Sequence, residues 1–115
     1  MLGTPDCCLA PAERKEKPVY TSGTWLVKAG KEDEFARRWQ ESVDKLVLEF
    51  PDITFRLLRS TEEPRRFLSV GGPWRGAEQF EAARSLPSYQ AAMADVERML
   101  ESGGLGTYEL VAEVS

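Results

Sequence analysis

The 115-residue sequence contains neither histidine nor asparagine. Without histidine, the chain cannot form a Ser-His-Asp triad, use histidine as a general acid or base, or build most catalytic zinc sites. Its two cysteines, Cys7 and Cys8, are adjacent. A disulfide between neighbouring residues is strained and closes no useful loop, so we expect free thiols with no metal-binding or redox role.

Long apolar runs and basic clusters are also missing from the sequence. No apolar run approaches the roughly 20 residues that span a bilayer, and the N-terminus lacks the basic start and apolar stretch of a secretion signal. The net charge is −4, and the basic residues are scattered along the chain, which does not favour nucleic-acid binding. We therefore expect a cytoplasmic protein with no membrane or nucleic-acid partner.

The length is sufficient for one domain with a single core. Residues 1–17 contain two prolines, balanced charges and no apolar periodicity, a composition typical of a disordered tail. We expect this N-terminal tail to precede one domain at residues 18–115.

Apolar periodicity predicts the elements of that domain. Five apolar residues from Phe35 to Phe50 follow one another at spacings of four, four, three and four, as in an amphipathic helix. Alternating apolar residues predict the strands, and Ser85-Leu86-Pro87 predicts a break between two helices. The predicted order is a strand at 19–28, a helix at 32–50, strands at 53–60 and 66–74, a helix at 76–84, a helix capped by Ser88 and ended by Gly103-Gly104, and a strand at 107–114.

This order is that of an α+β, ferredoxin-like split βαβ fold, with a four-stranded antiparallel sheet and the helices on one face. The first predicted strand carries apolar residues on both sides, with Trp25 and Val27 on one and Tyr20 and Leu26 on the other. A second sheet is the simplest cover for the side without helices. We therefore expect a homodimer.

Three segments resemble the antibiotic biosynthesis monooxygenase superfamily of dimeric α+β barrels: the run from Trp25 to Phe35, the block from Phe67 through Trp74 to Phe80, and Pro87-Ser88-Tyr89. The resemblance covers residues 19–115 and implies two sheets packed face to face, with a pocket between sheet and helices in each subunit. Members of this superfamily include cofactor-free oxygenases of aromatic polyketides and haem-degrading enzymes.

The sequence departs from the haem-degrading members that it resembles. Those members use an Asn on the first strand, a Trp at the end of the third strand and a helical His. Trp74 matches the Trp, but Gly23 falls near the Asn position and Ala83 or Arg84 near the His position. With the axial ligand missing, we expect that haem is not a substrate and that the protein needs no cofactor.

Five residues are the candidate lining of a hydrophobic pocket between the helices and the sheet: Trp25, Phe55, Trp74, Tyr89 and Met93. Gly23 and Gly71-Gly72 withdraw side-chain volume beside them, and the break at residues 85–87 interrupts the helical cover. A flat aromatic ligand could stack among these rings. The alternative is that the same rings fill ordinary core, which is the interpretation we favour for Trp39.

Two further groups of polar side chains remain open as ligand contacts. Tyr89 is the best phenolic donor, with Tyr20 and Tyr108 as alternatives. Arg56 and Arg59 lie in an otherwise apolar strand, where an arginine reaching the pocket could hold a phenolate or carboxylate.

Three functions are compatible with these features. The first is a cofactor-independent monooxygenase that oxidises a small aromatic or polyketide-like substrate with O2. The second is a non-catalytic dimeric module that binds a small hydrophobic metabolite. The third is a structural dimer whose pocket is filled by its own side chains. The sequence reveals no strong general base and leaves the catalytic residues unassigned.

Overall fold

The computed structural model describes residues 18–114. Each amphipathic pattern in the sequence corresponds to one element of the structure. In chain order the elements are β1 (Val19–Val27), α1 (Glu32–Glu49), β2 (Thr54–Arg59), β3 (Arg66–Trp74), α2 (Ala77–Arg84), α3 (Pro87–Glu97) and β4 (Leu100–Glu109).

The four strands form one antiparallel sheet in the order β2-β3-β1-β4. The sheet and its three helices confirm the predicted α+β, ferredoxin-like fold. The central strand β1 buries Thr21, Trp25 and Val27 on the side of the helices. On α1, the predicted apolar face is buried at Phe35, Trp39, Val43 and Leu46.

Two clusters of apolar side chains form the core between sheet and helices. One cluster joins the sheet to the first half of α1 and to the end of α3, and it consists of Trp25, Val27, Phe35, Phe67, Val96 and Met99. The other lies toward the opposite end of the sheet and consists of Leu46, Ile53, Trp74, Phe80 and Ala83. The region between these clusters is where the candidate site lies.

Among residues 18–114, no helix or strand covers the face of the sheet opposite the helices. Leu58, Leu68 and Tyr108 are 51%, 37% and 60% exposed, and they share this face with half-buried Tyr20 and Leu26. We call this surface the open sheet face. No element within residues 18–114 supplies the cover that the sequence led us to expect, and the homodimer stays a prediction.

The boundary between the last helix and the last strand differs from the prediction. The helix begins at Pro87 and ends at Glu97, and β4 starts at Leu100, so Gly103-Gly104 lies inside a strand instead of ending a helix. The reason is tertiary: Gly103 pairs with Trp25 of β1, and a Cβ on Gly103 would lie 2.6 Å from Cε3 of that indole. Close approach of a ring explains a glycine that local propensity would not place in a strand.

The predicted end of the last strand at Val114 is also wrong, because β4 ends at Glu109. Glu109 pairs with Val19, the first residue of β1, and the next backbone N–H, that of Leu110, donates to the Pro18 carbonyl at 3.2 Å. The pairing ends where its partner strand begins. Alternating sequence alone therefore does not extend the strand.

Two expectations concern the chain outside this sheet. The predicted disordered tail at residues 1–17 lies outside the described residues. Among residues 18–114, no helix is both long and apolar enough to cross a membrane. The cytoplasmic location stays a prediction.

Candidate functional site

A large cavity lies between α3 and β4, at the edge of the sheet. Its volume is about 580 Å³; we call it the outer cavity. Its lining comprises Tyr89, Gln90, Met93, Ala94 and Glu97 from α3, Leu100 to Leu105 from β4, and Trp25 and Arg84. Its volume is within the range of small-molecule sites in proteins, about 300–1,000 Å³.

A second, much smaller space lies deeper, between the sheet and α1. Its volume is about 30 Å³; we call it the inner chamber. Its lining comprises Thr21 and Trp25 of β1; Trp39, Ser42, Val43 and Leu46 of α1; Phe55 of β2; Ser69, Val70, Gly71 and Trp74 of β3; Phe80 of α2; Tyr89 and Met93 of α3; and Leu105 of β4. It is large enough for a molecule of about the size of water and too small for an aromatic ring.

All five candidate pocket residues line the inner chamber, but they differ in their relation to the outer cavity. Trp25, Tyr89 and Met93 line both spaces. Phe55 and Trp74 line only the inner chamber. The structure therefore brings the five together, and it puts only three of them on the wall of the space that could hold a substrate.

The expectation that glycines open the pocket is corrected by the structure. A Cβ on Gly23 would lie 2.3 Å from the Trp25 ring, and a Cβ on Gly71 would lie 2.8 Å from the Phe55 ring. A Cβ on Gly72 would lie 2.6 Å from the Tyr20 ring. Aromatic side chains of the sheet itself occupy the volume that these glycines leave.

Trp25 has a fixed position between the two spaces. Its ring lies against Gly23 and Gly103, and its indole N–H donates a hydrogen bond to Ser69 Oγ at 3.0 Å. The side chain is 6% exposed. A ring held in this way is a flat, preorganised wall against which a planar ligand can stack.

Trp74 has the environment of a core residue. It is 1% exposed, and Phe50, Phe55 and Phe80 surround it edge to face at centroid distances of 5.7, 6.0 and 5.3 Å. Its indole N–H donates to Thr21 Oγ1 at 3.3 Å. These contacts support the structural interpretation of Trp74.

Tyr89 supplies a polar group at the junction of the two spaces. Within the described residues its hydroxyl has no hydrogen-bond partner. Burial raises the pKa of Tyr89; the nearby positive charge of Arg84 opposes this shift, and the negative charge of Glu97 adds to it. The phenol therefore stays protonated at neutral pH and can donate a hydrogen bond to a ligand.

The structure places three charged residues on the wall of the outer cavity, and none of them was among the residues expected to line a pocket: Arg84, Glu97 and Glu101. Arg84 ends α2 immediately before the helix break and lines the cavity. Its guanidinium lies over the Phe80 ring at 5.6 Å and 3.5 Å from the Glu81 carboxylate. The break at residues 85–87 was the available signal, because Arg84 is the last residue of the helix before it.

Arg56 and Arg59 line neither space, so the idea that they reach the pocket is wrong. Arg59 stacks on the Phe67 ring at 5.3 Å, and its Nε–H donates to the Pro64 carbonyl at 2.8 Å. Tyr20 and Tyr108 pair with each other across β1 and β4 and line neither space. Among the three tyrosines, Tyr89 is the one at the cavity.

Within residues 18–114, no three acidic or cysteine side chains come together as potential metal ligands. The polar side chains that line the outer cavity are those of Arg84, Tyr89, Gln90, Glu97, Glu101 and Ser102. What this arrangement offers chemically is an aromatic wall, a neutral phenolic donor and a flexible methionine beside a solvent-accessible cavity.

Comparison with solved structures shows the same fold in proteins of low sequence identity. The cofactor-independent oxygenase SnoaB from Streptomyces nogalater is 15% identical, with a TM-score of 0.71 over 86% of this chain and 96% of its own. A protein from Shewanella oneidensis is 18% identical, with a TM-score of 0.71 over 83% of this chain and 92% of its own. A conserved protein from Methanosarcina mazei is 12% identical, with a TM-score of 0.73 over 84% and 96%.

No curated protein sequence matches the chain significantly. The sequence model of the antibiotic biosynthesis monooxygenase family matches residues 18–95, from before β1 to within α3. This match covers well over half of the chain and includes Trp25, Trp74, Tyr89 and Met93. The chain belongs to the antibiotic biosynthesis monooxygenase family.

Proposed function

We propose that this protein is a cofactor-independent monooxygenase that oxidises a small aromatic or polyketide-like substrate with O2 in the outer cavity. The observation that carries this proposal is a cavity of about 580 Å³ with the fixed ring of Trp25 on its wall. Ligand sites typically combine an apolar wall with a few polar groups that fix orientation. Here Tyr89 and Arg84 are those groups.

The chemistry requires a substrate that supplies its own carbanion. Anthrone is such a compound, since loss of a proton from its central CH2 gives a stabilised anion that transfers electrons to O2. The carbon is oxidised to a hydroperoxide, which loses water to leave a carbonyl. The balance is CH2 plus O2 to C=O plus H2O, with one oxygen atom in each product.

Tyr89 is suited to hold the oxygen of such an anion. Its hydroxyl is protonated at neutral pH, since the ordinary pKa of a tyrosine is 10.0 and burial raises the pKa further, and it lacks an internal partner among residues 18–114. A donor placed where negative charge develops stabilises the transition state more than the ground state. Trp25 would orient the ring by stacking, and Met93 would adapt to its shape.

The test is oxygen consumption with anthrone as the probe. We expect conversion to anthraquinone faster than the spontaneous reaction, with one O2 consumed per molecule, and loss of most of the enhancement in Ala94→Leu, which narrows the outer cavity. Leu48→Ala on the exposed side of α1 is the control and should behave as wild type. Rates equal to the uncatalysed reaction for anthrone and related phenols would contradict the proposal.

A non-catalytic binding module is the second candidate, and one observation favours it. The sequence has no histidine, and the raised pKa of Tyr89 keeps that residue from acting as a base at neutral pH. Under this alternative, aromatic probes raise the melting temperature by binding the native state while no O2 is consumed. The two measurements together separate the candidates.

The assembly that we propose is a homodimer formed through the open sheet face. Leu58, Leu68 and Tyr108 project from three different strands of that face. Several exposed large apolar side chains on one face of a sheet are typical of an interaction site. A second copy supplies an equivalent surface by twofold symmetry.

A further inference from the structure

We propose that the inner chamber is a binding site for molecular oxygen, held beside the substrate in the outer cavity. This inference rests on the proposed oxygenase function and adds to it the location of the second reactant. The three observations that support it are the size of the chamber, the state of the polar groups in its wall, and its position next to the outer cavity.

The size of the chamber suits a diatomic gas. Its volume of about 30 Å³ exceeds the roughly 10–15 Å³ that a single small molecule requires. The wall is dominated by large apolar side chains, among them Trp74, Phe80 and Val43, which are at most 9% exposed. Apolar cavities of this kind stay dry and take up xenon, which resembles O2 in its lack of polarity.

Most polar groups in the wall already have partners inside the protein. The indole N–H groups of Trp25 and Trp74 donate to Ser69 and Thr21. The Thr21 hydroxyl donates to the Gly71 carbonyl at 3.3 Å, and the Ser42 hydroxyl donates to the Trp39 carbonyl at 2.7 Å.

A buried water makes about three hydrogen bonds, and at this wall it would compete for groups that are already engaged. The side-chain donors that remain among the lining residues are the hydroxyls of Ser69 and Tyr89 and the indole N–H of Trp39. An apolar occupant requires none of them.

The chamber adjoins the outer cavity through shared side chains. Trp25, Tyr89, Met93 and Leu105 line both spaces. A ring stacked on Trp25 in the outer cavity is therefore separated from the chamber by one layer of side chains. Met93, which is half-buried and has three rotatable bonds, is the most adaptable member of that layer.

Xenon binding tests the site without depending on activity. Crystals of the full chain pressurised with xenon should show the gas in the inner chamber. Val43→Phe, which places a ring in the chamber from α1, should remove it. Val43→Leu, a smaller change for the case in which the phenylalanine variant does not fold, should reduce its occupancy.

Ala94→Leu is the matched control, because Ala94 lines the outer cavity and not the chamber. It should keep xenon and lose the binding of anthrone. Ordered water in the chamber, or xenon found elsewhere and not there, overturns the inference.

Oxygen kinetics give the second readout. With anthrone as substrate, Val43→Phe or Val43→Leu should raise the KM for O2 by about tenfold or more while anthrone still binds. An unchanged KM for O2 in a folded variant whose chamber is closed overturns the inference even if turnover persists. If xenon occupies the chamber but no aromatic probe consumes O2, the proposed function fails and the gas site stands.

Discussion

At the scale of single residues, aromatic side chains of similar chemistry have different structural roles in this protein. Trp74 is enclosed by three phenylalanine rings, whereas Trp25 separates the inner chamber from the outer cavity. Tyr89 is half-buried and has a hydroxyl without an internal partner among residues 18–114. Substitutions at these positions should therefore separate stability from binding.

Trp74→Ala should destabilise the protein strongly. Truncation of a fully buried tryptophan leaves a cavity among Phe50, Phe55 and Phe80, and the expected loss in the free energy of unfolding is about 3–5 kcal/mol. Urea denaturation measures it, with Leu48→Ala, at a position 83% exposed, as a control that should change stability by less than about 0.5 kcal/mol. A loss below about 1 kcal/mol for Trp74→Ala would instead indicate a residue that lines an open pocket.

Tyr89→Phe, in contrast, should weaken ligand binding and leave stability nearly unchanged. Because the hydroxyl makes no hydrogen bond within the described residues, its removal should change the free energy of unfolding by less than about 1 kcal/mol. Binding of anthrone, measured by quenching of tryptophan fluorescence, should weaken several-fold. Equal binding by Tyr89→Phe and wild type would exclude the phenol as a ligand contact.

Alkaline pH gives an independent test of the same group. The pKa of Tyr89 is raised above its ordinary value of 10.0 by burial, so the unfolded chain deprotonates this phenol at lower pH than the native protein does. The contribution of Tyr89 to the free energy of unfolding is constant below about pH 10, the pKa in the unfolded chain. It falls as the pH rises above that value. Tyr89→Phe should lose this alkaline component, observed as a smaller drop in melting temperature above pH 10.

At the scale of elements, β4 is the strand whose sequence least resembles a strand. It contains Gly103, Gly104 and Gly106, and it is held by pairing with β1 from Val27 to Val19. The two adjacent glycines differ in their surroundings. Trp25 lies against Gly103, while a Cβ on Gly104 would meet nothing within 4 Å.

Gly103→Ala should therefore displace the Trp25 ring, and Gly104→Ala should not. We expect Gly103→Ala to lower the free energy of unfolding by about 1–3 kcal/mol through overpacking and to alter tryptophan fluorescence. Gly104→Ala is the matched control, and its native structure and fluorescence should be close to those of wild type. Identical behaviour of the two variants would show that Trp25 does not lie against β4.

At the scale of the whole molecule, the described residues place helices on one face of the sheet, and the open sheet face carries exposed apolar groups. Burial of such groups in an interface removes apolar surface from water, which is the main driving force of association. The oligomeric state in solution is the direct test of how this face is used.

Light scattering at micromolar concentration should give about twice 12.9 kDa. Leu68→Asp, on the open sheet face, should shift the protein to monomer because a charge opposes desolvation at the interface. Leu48→Asp is the matched control, because it also replaces an apolar residue by a charged one but lies on α1. It should leave the dimer intact. A monomer for wild type across the accessible concentration range would defeat the proposal.

We also propose that residues 1–17 contribute little to the stability of the domain. The family match begins at residue 18, and the tail sequence has no apolar periodicity. Deletion of residues 1–17 should leave the melting temperature nearly unchanged in a thermal scan. A decrease of several degrees would mean that this segment packs on the domain.

Sequence by itself determined the elements whose signals are local. The apolar spacing from Phe35 to Phe50 reproduces the buried face of α1, and the alternation in β3 predicted its observed bounds, Arg66–Trp74. The order of these elements along the chain is enough to predict the ferredoxin-like fold. That Trp25, Tyr89 and Met93 lie close together was also within reach, since a helix break marked their surroundings; the expectation that neighbouring glycines open the pocket was wrong.

Only the tertiary structure decided the start and end of β4, the side chains that fill the space beside the glycines, and the division of the site into two spaces. The reason is that each depends on a contact between residues far apart in the chain. Trp25 lies against Gly103, Phe55 lies over Gly71, and Trp74 is enclosed by rings from three other segments. Periodicity records which face of an element is apolar, whereas the volume left between two faces is set by how the opposing side chains pack.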